Sequence, residues 1–219
     1  MGPVTSSPPS PEIPEGMSPD ARETWPSPEL IQSWLGDADF DFEWRPGEGT
    51  TLHGDDPEAV ARARLFRDVL GRFASGVTVV TTMSGGDPVG MTCQSFSSVS
   101  LDPPLVLFVP AKTSRAWPLM QRAGKFCVNF LAGDQAELSN TMASRGTDKF
   151  AGISWQPTET TGSPVLEGVL GYVDCSIHSV HEAGDHYVVI GRVLDLVATA
   201  AEKPLLFYQG TYATTDPRH

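Results

Sequence analysis

Residues 92–100 are the chain's densest run of groups able to hold a polar ligand: Thr92, Cys93, Gln94, Ser95, Phe96, Ser97, Ser98, Val99 and Ser100. Five hydroxyl side chains in nine positions cannot drive burial, because a buried hydroxyl needs a hydrogen-bond partner. On a strand, alternation sets Thr92, Gln94, Phe96, Ser98 and Ser100 on one face and Cys93, Ser95, Ser97 and Val99 on the other. Two readings stand. The run is a solvent-facing strand or Ser-rich turn, or it is a row of donors for a ring edge or a phosphate.

A second candidate is the loop Pro110, Ala111, Lys112, Thr113, Ser114 and Arg115, between a strand and a short helix. Two bases and two hydroxyls near a helix N-terminus suit a phosphate. The same residues also suit a simple cap, with Ser114 on the helix and the bases in solvent. A third candidate is Gly184-Asp185-His186 at the entrance to an apolar strand, where the imidazole either meets a ligand or is an ordinary half-buried side chain. His178 and His181 are three apart, which on a strand points them to opposite faces and argues against a metal pair. No GxGxxG and no GxxxxGK[ST] occurs, so the two common nucleotide loops are not supported. No nucleophile has a base at a recognisable spacing, so hydrolase chemistry has no positive sign.

Several elements must position these groups. Asp56-Pro57 is a cap followed by a proline, and Ala63, Phe66, Val69, Leu70 and Phe73 recur at helical spacing, which predicts an amphipathic helix over 57–74. Val77–Thr82 is β-branched throughout and reads as a strand. A turn follows at Ser84–Pro88. Further strands are expected at Val89–Ser100, Leu105–Val109, Phe126–Leu131, Gly168–His181, Tyr187–Thr199 and Leu205–Tyr212. Leu101-Asp102-Pro103-Pro104 ends the second of these sharply. Short helices fit Ser114–Arg122 and Asp134–Ala143. Many strands with few long helices predict a mainly β fold, a barrel edged by helices.

The charge is unevenly placed. The chain has 219 residues and a formal net charge of -12, of which residues 1–58 carry -11 and the rest -1. No basic stripe of the kind nucleic acids need is present. Residues 1–20 are rich in Pro, Ser and Glu and read as a tail. Ser27-Pro28-Glu29 opens a helical pattern of Leu30, Ile31, Trp34 and Leu35, and Phe40, Phe42 and Trp44 then alternate with acids. This segment either straps onto the body or docks a partner. The expected organisation is an acidic extension over 1–56 and a body over 57–219. Three widely spaced cysteines, Cys93, Cys127 and Cys175, no apolar run long enough to span a bilayer and no signal-peptide pattern point to a reducing, cytoplasmic setting.

Six stretches in order resemble one family. They are Phe73–Thr82 (FASGVTVVTT), Gly90–Pro104 (GMTCQSFSSVSLDPP), Lys112–Ser114, Phe126–Leu131 (FCVNFL), Gly184–His186 and Pro204–Tyr212 (PLLFYQGTY). The series is similar to the flavin reductase family of two-component monooxygenase systems, built on the FMN-binding split barrel. It covers residues 62–212 and leaves 1–56 outside.

The resemblance implies a split β-barrel with a few flanking helices, plus the N-terminal extension. It further implies a homodimer that binds FMN or FAD and oxidises NADH or NADPH. Reduced flavin would pass to a flavin-dependent monooxygenase partner, with no role for nucleic acid, membrane or metal. Flavin would lie against Thr81, Thr82, Thr92, Cys93, Gln94, Ser95, Phe96, Ser97, Ser98 and Ser100. Ala111, Lys112, Thr113, Ser114, Phe126 and Asn129 would complete that site. The nicotinamide cofactor would meet His186, Phe207, Tyr208, Gln209 and Gly210. No protein acid or base is required, because the cofactors carry hydride transfer. Two other activities stay open: a flavin-binding module without turnover, and an oxidase of the pyridoxamine-phosphate type, which calls for a more basic phosphate site than Lys112 and Arg115 provide.

Overall fold

The computed structural model describes residues 57–144, 148–200 and 203–215. The acidic extension and its 27–44 segment lie outside the described residues. The body is mostly strand, with three helices among the described residues, which bears out the mainly β expectation.

Helix α1 spans Pro57–Leu70, with Glu58 in its first turn and Arg67 in its last, both favourable to the helix dipole. It is shorter than the expected 57–74. At Gly71 the chain tightens: Gly71 N–H donates to Arg67 O, and Arg72 and Phe73 N–H donate to Val69 O and Leu70 O. The strands that follow are β1 (Ser75–Gly76), β2 (Thr78–Ser84), β3 (Asp87–Cys93), β4 (Ser97–Leu101) and β5 (Pro104–Phe108). After α2 (Ala116–Ala123) come β6 (Lys125–Phe130) and α3 (Ala136–Ala143). The chain closes with β7 (Trp155–Pro157), β8 (Pro164–Leu166), β9 (Gly171–Ala183), β10 (His186–Ala198), β11 (Leu206–Tyr208) and β12 (Thr211–Ala213).

The main sheet has seven strands in the order β3-β2-β6-β9-β10-β5-β4. Its two outermost strands, β3 and β4, are consecutive in sequence, and only Gln94, Ser95 and Phe96 separate them. Cys93 at the end of β3 and Ser97 at the start of β4 therefore cannot be far apart, and the sheet must curl until its two edges approach. The expected single strand Val89–Ser100 is corrected here: it is two strands on opposite edges of one sheet, and the 94–96 link breaks the alternation assumed across it. Leu205–Tyr212 is likewise a hairpin, β11 paired with β12, turning at Gln209 (φ 49°) and Gly210 (φ 81°). The short β7–β8 pair, three residues a side and each containing a proline, carried no strand signal.

Strand β2 explains why its sequence does not alternate. Val79 and Val80 are both fully buried and face different cores. Val80 joins Phe108, Trp117, Met120, Phe126, Ile177 and Val189. Val79 joins Val77, Leu131, Met142, Leu166 and Leu205. Phe108 and Phe126 meet edge to face at 4.9 Å between centroids, and truncating such a ring to alanine costs about 3–5 kcal/mol. Gly191 makes room for that cluster, since a Cβ there would run into the Phe126 ring.

Candidate functional site

The strand pairing assembles three of the sequence motifs at one place. Ser95, in the link between the sheet edges, uses its hydroxyl as a substitute backbone: Oγ donates to Val109 O (3.2 Å) and accepts from Val109 N–H (3.0 Å). Val109 leads directly into the Ala111–Ser114 loop. That loop is held in turn by the β9–β10 hairpin. Ala111 bridges His186, Lys112 N–H donates to Asp185 O (2.9 Å), and Tyr187 N–H donates to Pro110 O (2.9 Å). The hydroxyl-rich link, the lysine loop and the Gly-Asp-His turn are thus one structural unit.

Within it, Asp185 Oδ1 lies 2.7 Å from His186 Nδ1. The hydrogen bond to His186, with the imidazole's charge and more distantly that of Lys112, holds the Asp185 carboxyl below the usual range. Lys112 Nζ donates to Glu182 Oε2 at 2.8 Å and sits 5.5 Å over the Tyr187 ring. Ser114 is buried; its hydroxyl accepts from Trp117 N–H (3.3 Å) and contacts Met91 Sδ (3.7 Å), so it caps the first turn of α2. Ser97, Ser98 and Thr113 are exposed, while Ser100, Ala111 and Gln94 are half-buried. Gln94 Nε2 is buried with no hydrogen-bond partner among the described residues. Phe96 packs on Phe130 at 5.2 Å. Cys93 is buried beside Ser95 (3.2 Å), and burial pushes its thiol up.

Four expected flavin contacts lie elsewhere, in the interior. Thr81 Oγ1 donates to Pro164 O (2.5 Å) and Thr82 Oγ1 to Lys125 O (2.8 Å). Asn129 donates to Val79 O, Thr81 Oγ1 and Pro164 O, and accepts from Leu166 N–H. Phe126 is a core ring. All four are wholly buried, and their polar groups tie β2, β6 and β8 together. The polar groups of Thr81, Thr82 and Asn129 are thus engaged within the framework, and none of the four side chains is exposed to solvent.

The expected nicotinamide set is also divided. His186 belongs to the unit just described. Phe207, Tyr208, Gln209 and Gly210 belong to the separate three-stranded sheet β1-β11-β12. Gln209 N–H donates to Gly71 O (2.9 Å), and buried Phe207 packs edge to face on Tyr212 (5.5 Å). That sheet connects to the site strand through α3. Tyr212 Oη lies 2.9 Å from both Asn140 Oδ1, which can only accept its proton, and the Ser139 hydroxyl, and Thr92 Oγ1 donates to Ser139 O (2.6 Å).

Glu182, Tyr187, Ser139 and Tyr212 were not singled out from the sequence. A signal existed for the first two: a two-residue turn at Gly184-Asp185 fixes the hairpin register and pairs Glu182 with Tyr187. For Ser139 no local pattern exists.

The sequence matches the family described as flavin reductase like domain over residues 70–216. It is 53% identical over 154 residues to the reductase subunit HsaB of a flavin-dependent monooxygenase from Rhodococcus jostii, covering 70% of this chain and 78% of that one. The fold is similar to the crystal structure of nitrilotriacetate monooxygenase component B from Mycobacterium thermoresistibile. There the TM-score is 0.70 at 49% identity, over 73% of this chain and 89% of that one. It is also similar to an NADH:FAD oxidoreductase of Streptomyces globisporus solved with NAD and FAD fragments, with a TM-score of 0.66 at 36% identity, over 74% and 96% of the two chains. With the family match spanning most of the body and the site motifs drawn into one unit, this chain belongs to the flavin reductase family.

Proposed function

We propose that this chain is an NAD(P)H:flavin oxidoreductase that reduces free FMN or FAD and hands the reduced flavin to a flavin-dependent monooxygenase. One observation carries the reading: the hydroxyl-rich link, Lys112 and the Asp185–His186 pair are hydrogen-bonded into a single unit in a member of this family.

The residues fit the ligands. Lys112 supplies a cation, and the backbone entering α2 supplies N–H groups, which together suit a phosphate. Ser97 and Ser98 offer exposed hydroxyls on β4. When both cofactors are bound, the nicotinamide gives a hydride directly to the flavin ring. The chain's own share is to bind, orient and exclude water. Asp185 engages His186 Nδ1, so Nε2 is the nitrogen left to face a nicotinamide carboxamide or phosphate.

We infer further that the active form is a homodimer in the cytoplasm, with 57–219 as the reductase domain of split-barrel type and 1–56 as an appendage. The dimer is supported by apolar groups exposed on α1, in the turn after it and along β4 and β10, among them Phe66, Phe73, Leu101 and Leu196. Three buried free cysteines accord with a reducing compartment. Among the described residues no helix is long and apolar enough to cross a membrane.

The test is oxidation of NADH and of NADPH by the purified protein with FMN, FAD or riboflavin added. Flavin-dependent loss of nicotinamide absorbance, saturating with added flavin, is expected. Tight flavin binding with no oxidation of either nucleotide would make the protein a carrier or sensor instead.

A further inference from the structure

We propose that Glu182 is a positioning residue that holds the Lys112 ammonium against the β9–β10 hairpin and thereby weakens the grip on phosphorylated flavin. The proposal rests on the flavin reductase reading above and names a device for releasing the product.

The geometry is specific. Lys112 and Glu182 are far apart in sequence, yet Nζ donates to Oε2 at 2.8 Å. The pair does not depend on a loop wandering into place. The Lys112 backbone N–H is fastened to Asp185 O, and Glu182 sits directly across the hairpin from Tyr187, whose ring lies under the same ammonium. The ammonium is therefore held between a carboxylate and an aromatic face, with Asp185 and His186 as the neighbouring charged or titratable groups on the turn. A phosphate that seeks Lys112 must draw it from Glu182 or settle beside that carboxylate. Either route subtracts from affinity.

The effect is a bias, not a lock. The Lys112 side chain is 33% exposed and that of Glu182 64%, and exposed ion pairs are weak and screened by salt. A few-fold effect on affinity is what such a pair can carry. For an enzyme whose product must leave, a few-fold is useful. The bias acts only on ligands that carry phosphate. Riboflavin, with the same ring and no phosphate, is indifferent to it.

The experiment is a titration of the full chain with FMN and with riboflavin, followed by flavin fluorescence, for the unaltered protein, Glu182→Gln, Lys112→Ala and the double variant. Glu182→Gln is expected to tighten FMN by about 2–5-fold at low salt, the range open to an exposed pair, and to leave riboflavin unchanged. In the Lys112→Ala background the same substitution is expected to do nothing. Equal tightening of FMN and riboflavin, no change in either, or FMN tightening that survives Lys112→Ala would each overturn the proposal while flavin binding itself stands. Absence of any flavin binding or reduction by the unaltered protein would instead bring down the functional reading, and this inference with it.

Discussion

The backbone N–H of Lys112 donates to the carbonyl oxygen of Asp185 at 2.9 Å. That bond fastens the lysine loop to the Gly-Asp-His turn, so a cation and an imidazole that are distant in sequence are brought into one structural unit. With Ala111 bridging His186 beside it, the loop continues the β5–β10 ladder beyond the end of β5.

His186→Ala should raise the KM for NADH or NADPH and leave flavin affinity nearly unchanged. In the proposed function the imidazole serves to orient the nicotinamide and transfers no proton. Loss of one modest contact corresponds to about 5–30-fold in kcat/KM. Asp185→Asn should shift the same parameter by less, because it loosens the ring without removing it. Steady-state kinetics with nicotinamide as the varied substrate checks both. An unchanged nicotinamide KM in His186→Ala would reduce the motif to a turn.

Asn129→Ala should destabilise the protein while sparing the flavin KM of whatever remains folded. Its amide makes three donor contacts and one acceptor contact in a fully buried position. Leaving those partners unsatisfied costs about 1–3 kcal/mol, or roughly 2–10 °C in Tm for a domain of this size. Calorimetry together with flavin kinetics separates this framework role from a ligand role. A raised flavin KM at unchanged Tm would return Asn129 to the site.

The same residue shows where sequence reading ran out. Asn129, Thr81 and Thr82 are polar groups on strands near a recognised motif, and by type alone they look like ligand contacts. A polar side chain on a strand buried on both faces can equally satisfy backbone from a neighbouring loop, and only tertiary structure decides between the two. The strand at β2 was legible because β-branching there is continuous. The break at Gln94–Phe96 was not, because period two cannot tell a strand that continues from one that leaves one sheet edge and joins the other. The turn at Gln209-Gly210 was half-hidden for a different reason: Gly210 is a turn residue, but the glutamine before it rarely adopts φ of 49°. What local pattern did carry was the order of the motifs. Which of them touch was fixed by the β9–β10 register.

The three thiols should resist labelling in the native protein. Cys93, Cys127 and Cys175 are all buried, and burial pushes each thiol up, away from the reactive thiolate. A disulfide reagent should react slowly with the folded chain and with all three cysteines after denaturation. Fast reaction of one native thiol, Cys93 above all, would mean that the 94–96 link opens to solvent.

Removal of residues 1–56 should leave NAD(P)H:flavin turnover largely intact. The family match begins at residue 70, and the hydrogen-bonded unit around Lys112 and His186 lies wholly within the body. Oligomerisation, stability or delivery of reduced flavin to the oxygenase should change instead. A folded truncation without turnover would assign part of the extension to the active site.

Phe73→Asp and Leu101→Asp should convert a dimer to monomers. In the single chain these side chains are 80% and 95% exposed, and a change at a truly solvent-facing position shifts stability by only about 0.5 kcal/mol. A carboxylate placed in an apolar interface is different, because desolvating an unpaired charge costs several kcal/mol. The two substitutions therefore distinguish an open surface from a covered one. Sedimentation or light scattering should give the unaltered chain about twice the 23.5 kDa monomer mass, and each variant close to the monomer. A monomeric parent would remove the dimer outright. A dimeric parent whose mass ignores both substitutions would move the interface elsewhere, and the exposed face of α1 and β4 would then need a different occupant.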